Sequence, residues 1–274
     1  CQQPGIMQCR WHVAPGNAQC KAFDHSRFAN ACLTGENRVV LTATHQHVDD
    51  LADFLIPADD RVDLSIAALQ AQETSLELEI VLVDCSEHDR VEKIAADFSK
   101  VQFVKREKRF NPGEGRNIGA EQAKGKLLVF VDSDVTLEKD ALDNAWQYFQ
   151  AGHQIFGGAL ELKEGPEATP ASYLEHYFFN HESQKLRPGC ERSNLSSALM
   201  LFEREVFLKE GGFKDIPRMQ DTELTERLRA KGYKLSFTPT VSGEQIQDSP
   251  MKKVLRKIFI NGKNLYFIRY KKDM

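Results

Sequence analysis

Two aspartates, Asp132 and Asp134, close an apolar run that reads LLVFVDSDV from Leu127 to Val135. A short apolar run bounded by polar residues is typical of a strand buried on both faces of a parallel sheet. Carboxylates are costly to bury without partners, so we expect this pair where the sheet opens to solvent. Their i, i+2 spacing lets both reach one Mg²⁺ or Mn²⁺ that also holds substrate phosphates. The simpler alternative is a strand followed by a turn in which aspartate caps the next helix.

The composition is that of a soluble globular protein, with 274 residues, of which 41% are hydrophobic and 28% charged. This length is enough for one large domain with appendages. The net charge of −4 argues against a nucleic-acid-binding protein held by overall charge. No apolar run approaches the roughly 18–20 residues that span a bilayer, so we expect no transmembrane helix.

The N-terminal part, residues 1–36, is rich in Gly, Asn, Gln and Ala and shows no sustained period. We interpret it as an irregular extension that carries four of the six cysteines, Cys1, Cys9, Cys20 and Cys32. Zinc and iron–sulfur sites usually show at least one close cysteine pair, which these spacings lack. Free thiols are therefore favoured over a metal site. The rest of the chain looks cytosolic, a compartment where thiols stay reduced.

The first half of the chain alternates strands with helices. The strands are predicted at Arg38–Thr44, Leu78–Asp84, Val101–Val104 and the run ending at Asp132, and the helices at Val48–Leu55, Val62–Gln72, Val91–Phe98 and Arg116–Ala123, after a turn at Pro112-Gly113. This alternation predicts a parallel doubly wound sheet. Two strands, those ending at Asp84 and Asp132, deliver a carboxylate to the same edge. Ligands bind outside this edge in open α/β sheets.

The second half is less regular. It is predicted to contain a helix at Leu137–Gln150, a strand at His153–Leu162, a helix or lid at Tyr173–His181, a strand at Ala198–Phe202, a helix at Gln220–Gly232 and a strand at Tyr233–Pro239. Asp221 lies at the start of its helix, where an N-cap role is the simplest interpretation. The final segment, from Pro250 to Met274, interleaves basic and apolar residues.

From about Arg38 to Asn264, these segments resemble the family 2 glycosyltransferases. The stretch GRNIGAEQAKGKLLVFVDSDV is similar to the family's R-N-x-G…A-x-G…D-x-D pattern, and VLVDCSEHD to its V-V-D-D-G-S-x-D, with Cys85 and Ser86 replacing Asp-Gly. The stretch QDTELTERLRAKGYKLSF is similar to E-D-x-E-L…R-L…G, with Gln220 in place of glutamate. The stretch FEREVFLKEGGF also matches a block of the family, and the first strand ends in TAT where the family often has a Pro-Thr/Ala-x-Asn ending.

The resemblance implies an α/β protein of GT-A fold, with a Rossmann-like, mostly parallel central sheet flanked by helices. A single glycosyltransferase domain would cover residues 37–248, between the extension at residues 1–36 and a basic amphipathic helical tail at residues 249–274. The tail suits a helix lying on an anionic membrane surface, and it equally suits an ordinary C-terminal helix packed on the domain. The expected location is cytoplasmic, peripheral on the inner face of the membrane where the tail binds it.

The resemblance also implies an inverting hexosyl transfer from a nucleotide-diphospho-sugar, with UDP as the family default, to a saccharide or lipid-linked acceptor. Asp221 would be the general base, and Asp134 and Asp132 would hold Mn²⁺ or Mg²⁺, which offsets charge on the leaving diphosphate. The nucleotide-sugar-binding residues would be Thr42, Thr44, Asp84, Arg116, Asp132 and Ser133. For Arg116, three roles stay open: a phosphate contact, a contact that fixes Asp84, and a purely structural ion pair. Ser196 and Ser197 would lie near the donor sugar.

Two other functions compete with this hypothesis. A nucleotidyltransferase would need a glycine-rich, basic loop after the first strand to cradle a triphosphate, whereas TATHQHVDD is acidic and lacks glycine. A degenerate domain that binds a sugar nucleotide or a partner without turnover would explain the departures at Cys85 and Gln220. The presence together of Asp84, Asp132, Asp134 and Asp221 favours catalysis.

Overall fold

A computed structural model describes residues 38–45, 58–86, 89–107, 110–165, 168–185, 190–216 and 218–270. Its strands are β1 (Arg38–His45), β2 (Glu77–Asp84), β3 (Val101–Lys105), β4 (Leu127–Asp132), β5 (Val135–Leu137), β6 (Ile155–Leu162), β7 (Leu199–Glu203) and β8 (Ser236–Gln245). Its helices are α1 (Ala58–Gln70), α2 (Arg90–Ala96), α3 (Pro112–Gln122), α4 (Ala141–Gln150), α5 (Pro170–Phe179), α6 (Arg204–Lys209), α7 (Gln220–Ala230) and α8 (Met251–Tyr270).

The eight strands form one sheet in the order β3-β2-β1-β4-β7-β6-β8-β5. The four strands from β3 to β4 are parallel, as the alternating strands and helices predicted. The other half is mixed, because β7 runs antiparallel to both β4 and β6, while β8 is parallel to β6 and antiparallel to β5. The sheet therefore changes from parallel to mixed pairing at β4, the strand that leads into the acidic triplet Asp132-Ser133-Asp134.

Helices cover both faces of the sheet, and this burial explains why the sequence of β4 is apolar throughout. Leu127, Val129 and Val131 belong to a buried cluster on one face that includes residues of α1 and α4. Leu128 and Phe130 belong to a cluster on the other face that includes residues of α3, α6 and α7. Because both faces are buried, the strand cannot alternate apolar with polar residues.

Three predicted boundaries were wrong for identifiable reasons. Helix α3 begins at Pro112, where a turn was expected, since Asn111 accepts a hydrogen bond from the backbone N–H of Glu114 at 3.0 Å and proline suits the first helical turn. The helix expected from Leu137 begins at Ala141, because residues 135–137 pair with β8 as strand β5. Strand β8 continues beyond Pro239 to Gln245, with a register shift opposite Gly158 and Ala159.

The N-terminal extension, its four cysteines and the helical pattern at Val48–Leu55 lie outside the described residues, and the predicted domain boundaries stay a prediction. Cys85 is a buried free thiol. Cys190 is disulfide-bonded, so the expectation that the thiols stay reduced is wrong for that residue. Among the described helices, none combines the length and the apolar character needed to cross a bilayer.

Candidate active site

The acidic triplet lies at the carboxyl end of β4, where the sheet opens into a cleft. Asp132 is the last residue of β4, Asp134 follows in the turn before β5, and both side chains line a cavity of about 1290 Å³. Arg116 donates a hydrogen bond to the Asp132 carboxylate. The side-chain amide of Gln245 donates to Oδ1 of Asp134 at 3.1 Å. Each carboxylate is thus held by one partner.

The environment of Asp134 disfavours the charged form of its carboxyl group. Burial, and then the neighbouring charge of Asp132, raise the pKa of Asp134 to about 7. The hydrogen bond from Gln245 and the charges of Arg61 and Lys257 act in the opposite direction. Within the described part of the chain, no three His, Cys, Asp or Glu side chains come together as a metal site. The pair nevertheless fits a divalent cation that takes two carboxylates from protein and its remaining ligands from phosphate and water.

Arg116 holds Asp132, not Asp84. Its side chain is buried on α3, and its guanidinium lies 5.6 Å from the centre of the Phe213 ring. Asp84, fully buried, instead accepts hydrogen bonds from Lys105 Nζ at 2.7 Å and from the backbone N–H and hydroxyl of Ser86. The idea that Arg116 fixes Asp84 is therefore wrong, and of the three roles considered the structure shows an ion pair, made with Asp132. A nucleoside contact by Asp84 stays a prediction.

Asn117, the residue after this arginine, fixes the loop that leads to α7 and Asp221. Asn117 donates to the carbonyl oxygen of Phe213 at 2.7 Å and accepts from its backbone N–H at 2.9 Å. At Gly113, a Cβ would lie 2.9 Å from Cβ of Phe213 and 3.1 Å from Cγ of Gln220. Only glycine lets α3 approach this closely, and the approach fixes the position of Gln220 beside Asp221.

Asp221 lies in the first turn of α7 and lines the same cleft as Asp132 and Asp134. The N-cap position belongs to Met219, so the interpretation of Asp221 as the cap was wrong; its Oδ1 accepts from the backbone N–H of Thr222 at 2.7 Å. Burial raises the pKa of Asp221, and Asp132 adds to this. The backbone N–H groups of Thr222 and Ser197 and the charge of Arg116 offset part of the rise. A raised pKa suits a carboxylate that must accept a proton.

The remaining predicted nucleotide-binding residues lie at the same sheet edge. In the ladder, Thr44 pairs with Asp132 and His45 with Asp84, so the ends of β2, β1 and β4 are side by side. Thr42 lies two residues earlier on β1. Ser133 lies between the two carboxylates of the triplet. Contact of Thr42, Thr44 and Ser133 with a nucleotide stays a prediction.

Sequence reasoning missed a chain of amides behind Asp134. The side-chain oxygen of Gln245 accepts a hydrogen bond of 2.7 Å from the side-chain amide of Asn180. The same amide nitrogen lies 3.3 Å from His176 Nδ1, and the side-chain oxygen of Asn180 accepts from the hydroxyl of Ser196 at 3.4 Å. Gln245 is the last residue of β8 and Asn180 follows α5. Neutral amide and imidazole side chains at the ends of ordinary elements give no distinctive signal in the sequence. Of this group only Ser196 had been placed near the donor, and Ser196 and Ser197 do line the cleft.

Helix α8 forms a basic wall of the cleft, although sequence reasoning had separated it as a tail. Lys257 pairs with Glu175 of α5 and donates to the hydroxyl of Ser249 at 3.0 Å. Arg218 donates to the side chain of Asn261 at 2.7 Å, which joins α8 to the segment before α7. The predicted alternative of a helix packed on the domain is therefore confirmed for one face of α8.

Comparison with known sequences identifies the family. The model for "Glycosyl transferase family 2" matches residues 59–211, more than half of the chain, so the chain belongs to this family. It is 24% identical over 192 residues to glycosyltransferase AglE of Haloferax volcanii. That alignment covers 68% of this chain and 62% of AglE. It is 27% identical over 120 residues to the GalNAc(5)-diNAcBac-PP-undecaprenol beta-1,3-glucosyltransferase of Campylobacter jejuni, covering 40% of this chain and 38% of that protein. The chain thus spans less than two thirds of either relative.

Solved structures confirm the GT-A fold. The mannosyltransferase PcManGT of Pyrobaculum calidifontis, in complex with GDP-Man and Mn²⁺, superposes with a TM-score of 0.60 at 16% identity, covering 87% of this chain and 65% of that one. Residues 1–349 of S. aureus TarS in complex with UDP-GlcNAc give a TM-score of 0.57 at 16% identity, covering 82% and 66% of the two chains.

Proposed function

We propose that this protein is an inverting glycosyltransferase that moves a hexose from a nucleotide-diphospho-sugar to an acceptor hydroxyl. One observation carries the proposal: Asp132, Asp134 and Asp221 line a single cleft at the carboxyl end of β4. Two of these carboxylates are suited to a divalent cation with a diphosphate, and the third to proton transfer. The solved relatives that bind GDP-Man with Mn²⁺ and UDP-GlcNAc support a nucleotide-sugar donor.

In this mechanism Asp221 accepts the proton of the acceptor hydroxyl as its oxygen attacks the anomeric carbon. The bond between that carbon and the diphosphate oxygen breaks, and the electron pair leaves with the nucleoside diphosphate. Attack on the face opposite the leaving group inverts the anomeric configuration, through an oxocarbenium-like transition state. Arg116 and Gln245 keep Asp132 and Asp134 in position. A Mn²⁺ or Mg²⁺ ion held by this pair would act as a Lewis acid on the leaving diphosphate.

The donor and acceptor are proposed only as classes. UDP is the first nucleotide to test, since the family favours it, and GDP is the second because of the mannosyltransferase complex. The acceptor is a saccharide or a lipid-linked saccharide, in line with the undecaprenol-linked substrate named for the relative from Campylobacter jejuni. A peripheral position at the inner face of the membrane fits such an acceptor.

Calorimetry with UDP, GDP, CDP and dTDP, each in Mn²⁺, Mg²⁺ or EDTA, tests the proposal. We expect one nucleotide to bind and EDTA to abolish the binding. Asp134→Asn should lose the binding, whereas Asp221→Asn should bind the nucleotide normally but lose about 10²–10⁴-fold in turnover of the sugar donor. If no nucleotide binds with any metal, the protein is a degenerate scaffold. If Asp221→Asn turns over normally, the assignment of the base is wrong.

A further inference from the structure

Large apolar side chains are exposed mainly on two neighbouring helices. Of the eleven that the described residues expose, nine lie on α5 and α8. On α5 they are Tyr173, Leu174, Tyr177 and Phe178, and on α8 they are Met251, Leu255, Phe259, Tyr266 and Tyr270. Single exposed apolar residues are ordinary, but a concentration of them marks an interaction site.

The two helices hold this surface in a fixed orientation. Lys257 of α8 pairs with Glu175 of α5, and Arg269 near the end of α8 pairs with Glu226 of α7. Val254 is fully buried on the inner face of α8. The opposite face of α8 is therefore turned outward along its whole length, with Phe259 and Tyr270 each 75% exposed.

The charges of this outward face are all positive. Helix α8 contains six basic residues and no Asp or Glu. Four of the six are exposed beside the apolar row, namely Lys252, Arg256, Lys263 and Arg269, the last of which is paired with Glu226 of α7. A second copy of the chain docked on the same face would bring these cations together, which is unfavourable. An anionic phospholipid surface complements both the apolar row and the cations.

The surface reaches the rim of the cleft. Tyr177 and Phe178 of α5 and Lys252 and Arg256 of α8 belong to the surface and also line the cleft. We propose that the exposed faces of α5 and α8 dock on an anionic phospholipid bilayer and turn the rim of the cleft toward it. This inference rests on the proposed function, and it implies that the acceptor is an amphiphile held in the bilayer.

Sedimentation of the full chain with vesicles tests the proposal. Vesicles of phosphatidylcholine mixed with phosphatidylglycerol should bind the chain, those of phosphatidylcholine alone should bind it far less, and added salt should weaken binding. The double variant Leu255→Ser/Phe259→Ser should bind about tenfold or more weakly. Lys263→Glu should bind roughly fivefold more weakly. Leu64→Ser removes an exposed leucine on α1 and should bind as the wild type does.

Three results would overturn the proposal: no binding to anionic vesicles, equal binding by wild type and both surface variants, or a solution dimer that Leu255→Ser/Phe259→Ser dissociates. None of these substitutions lies in the lining of the cleft. Nucleotide binding measured without vesicles separates the two ideas. A chain that binds nucleotide but not vesicles refutes only the docking surface. A chain that binds vesicles but no nucleotide refutes only the transferase assignment.

Discussion

Replacing Arg116 by methionine removes a buried cation while keeping an unbranched apolar stem of similar length. The wild-type guanidinium contacts Asp132 and lies over the ring of Phe213. Breaking a fully buried ion pair costs about 3–5 kcal/mol, and breaking an exposed one about 0–1 kcal/mol. The Arg116 side chain is 5% exposed and that of Asp132 31%, so solvent screens one partner. We therefore expect a loss of about 2–3 kcal/mol in the free energy of unfolding.

Urea unfolding without metal, followed by circular dichroism, measures this loss. Asp132→Asn removes the other charge, and the double variant Arg116→Met/Asp132→Asn closes a thermodynamic cycle. We expect the two losses to be non-additive by about 1–2 kcal/mol, because each single variant leaves a charge without its partner. Arg229→Met, on the exposed face of α7, serves as control and should cost less than about 0.5 kcal/mol. An additive cycle, or a loss at Arg116 no larger than the control, would refute the reasoning.

Three further changes test the proposed metal pair, the proposed base and the packing of the sheet. Gln245→Leu should weaken Mn²⁺ binding about tenfold in calorimetry, because Asp134 loses the hydrogen bond that orients it; unchanged affinity would show that Gln245 has no such role. The turnover rate at saturating donor and metal should rise with pH through a pKa above the usual carboxyl range, since burial raises the pKa of Asp221 and only its deprotonated form accepts a proton; a rate independent of pH would exclude it as the base. Gly158→Ala should lower stability by about 1–3 kcal/mol in urea unfolding, because the added methyl would lie 2.6 Å from a carbonyl oxygen of β8. Gly262→Ala, which meets no atom within 4 Å, should be neutral or stabilising and is the matched control.

The parallel half of the fold could be predicted because its signal is local. Strands buried on both faces are apolar throughout, and each is followed by a helix within the same stretch of chain. Strand β5 shows the limit of this reasoning. Residues 135–137 are too few to signal a strand, and they become one only by pairing with residues 243–245 of β8. Such a pairing depends on a contact more than a hundred residues away along the chain, so the expectation of a helix from Leu137 was natural and wrong.

The residues of the candidate site likewise divide into those that the local sequence predicts and those that it does not. Asp132 and Asp134 were predicted because their strand is strongly apolar and because ligands of α/β sheets bind at strand ends. Gln245 was missed because a glutamine at the end of a strand has no distinctive pattern. Lys105 was missed although β3 was predicted, since only the parallel register, in which Lys105 lies opposite Asp84, shows that the two are partners. Residues whose role depends on register or on a distant helix could not be found from the sequence alone.

The change of strand direction at β4 explains why the residues on the two sides of this strand differ in how well the sequence predicts them. Because β7 runs antiparallel to β4, the segment that precedes β7 meets the carboxyl end of β4, and the backbone N–H of Asp132 donates to the carbonyl oxygen of Ala198 at 3.2 Å. This segment contains Ser197, whose backbone N–H hydrogen-bonds to Asp221. The antiparallel pair of β4 and β7 thus connects Asp132 to Asp221 at the boundary between the parallel and the mixed half of the sheet. The position of β7 along β4 therefore sets the position of Asp221 relative to Asp132.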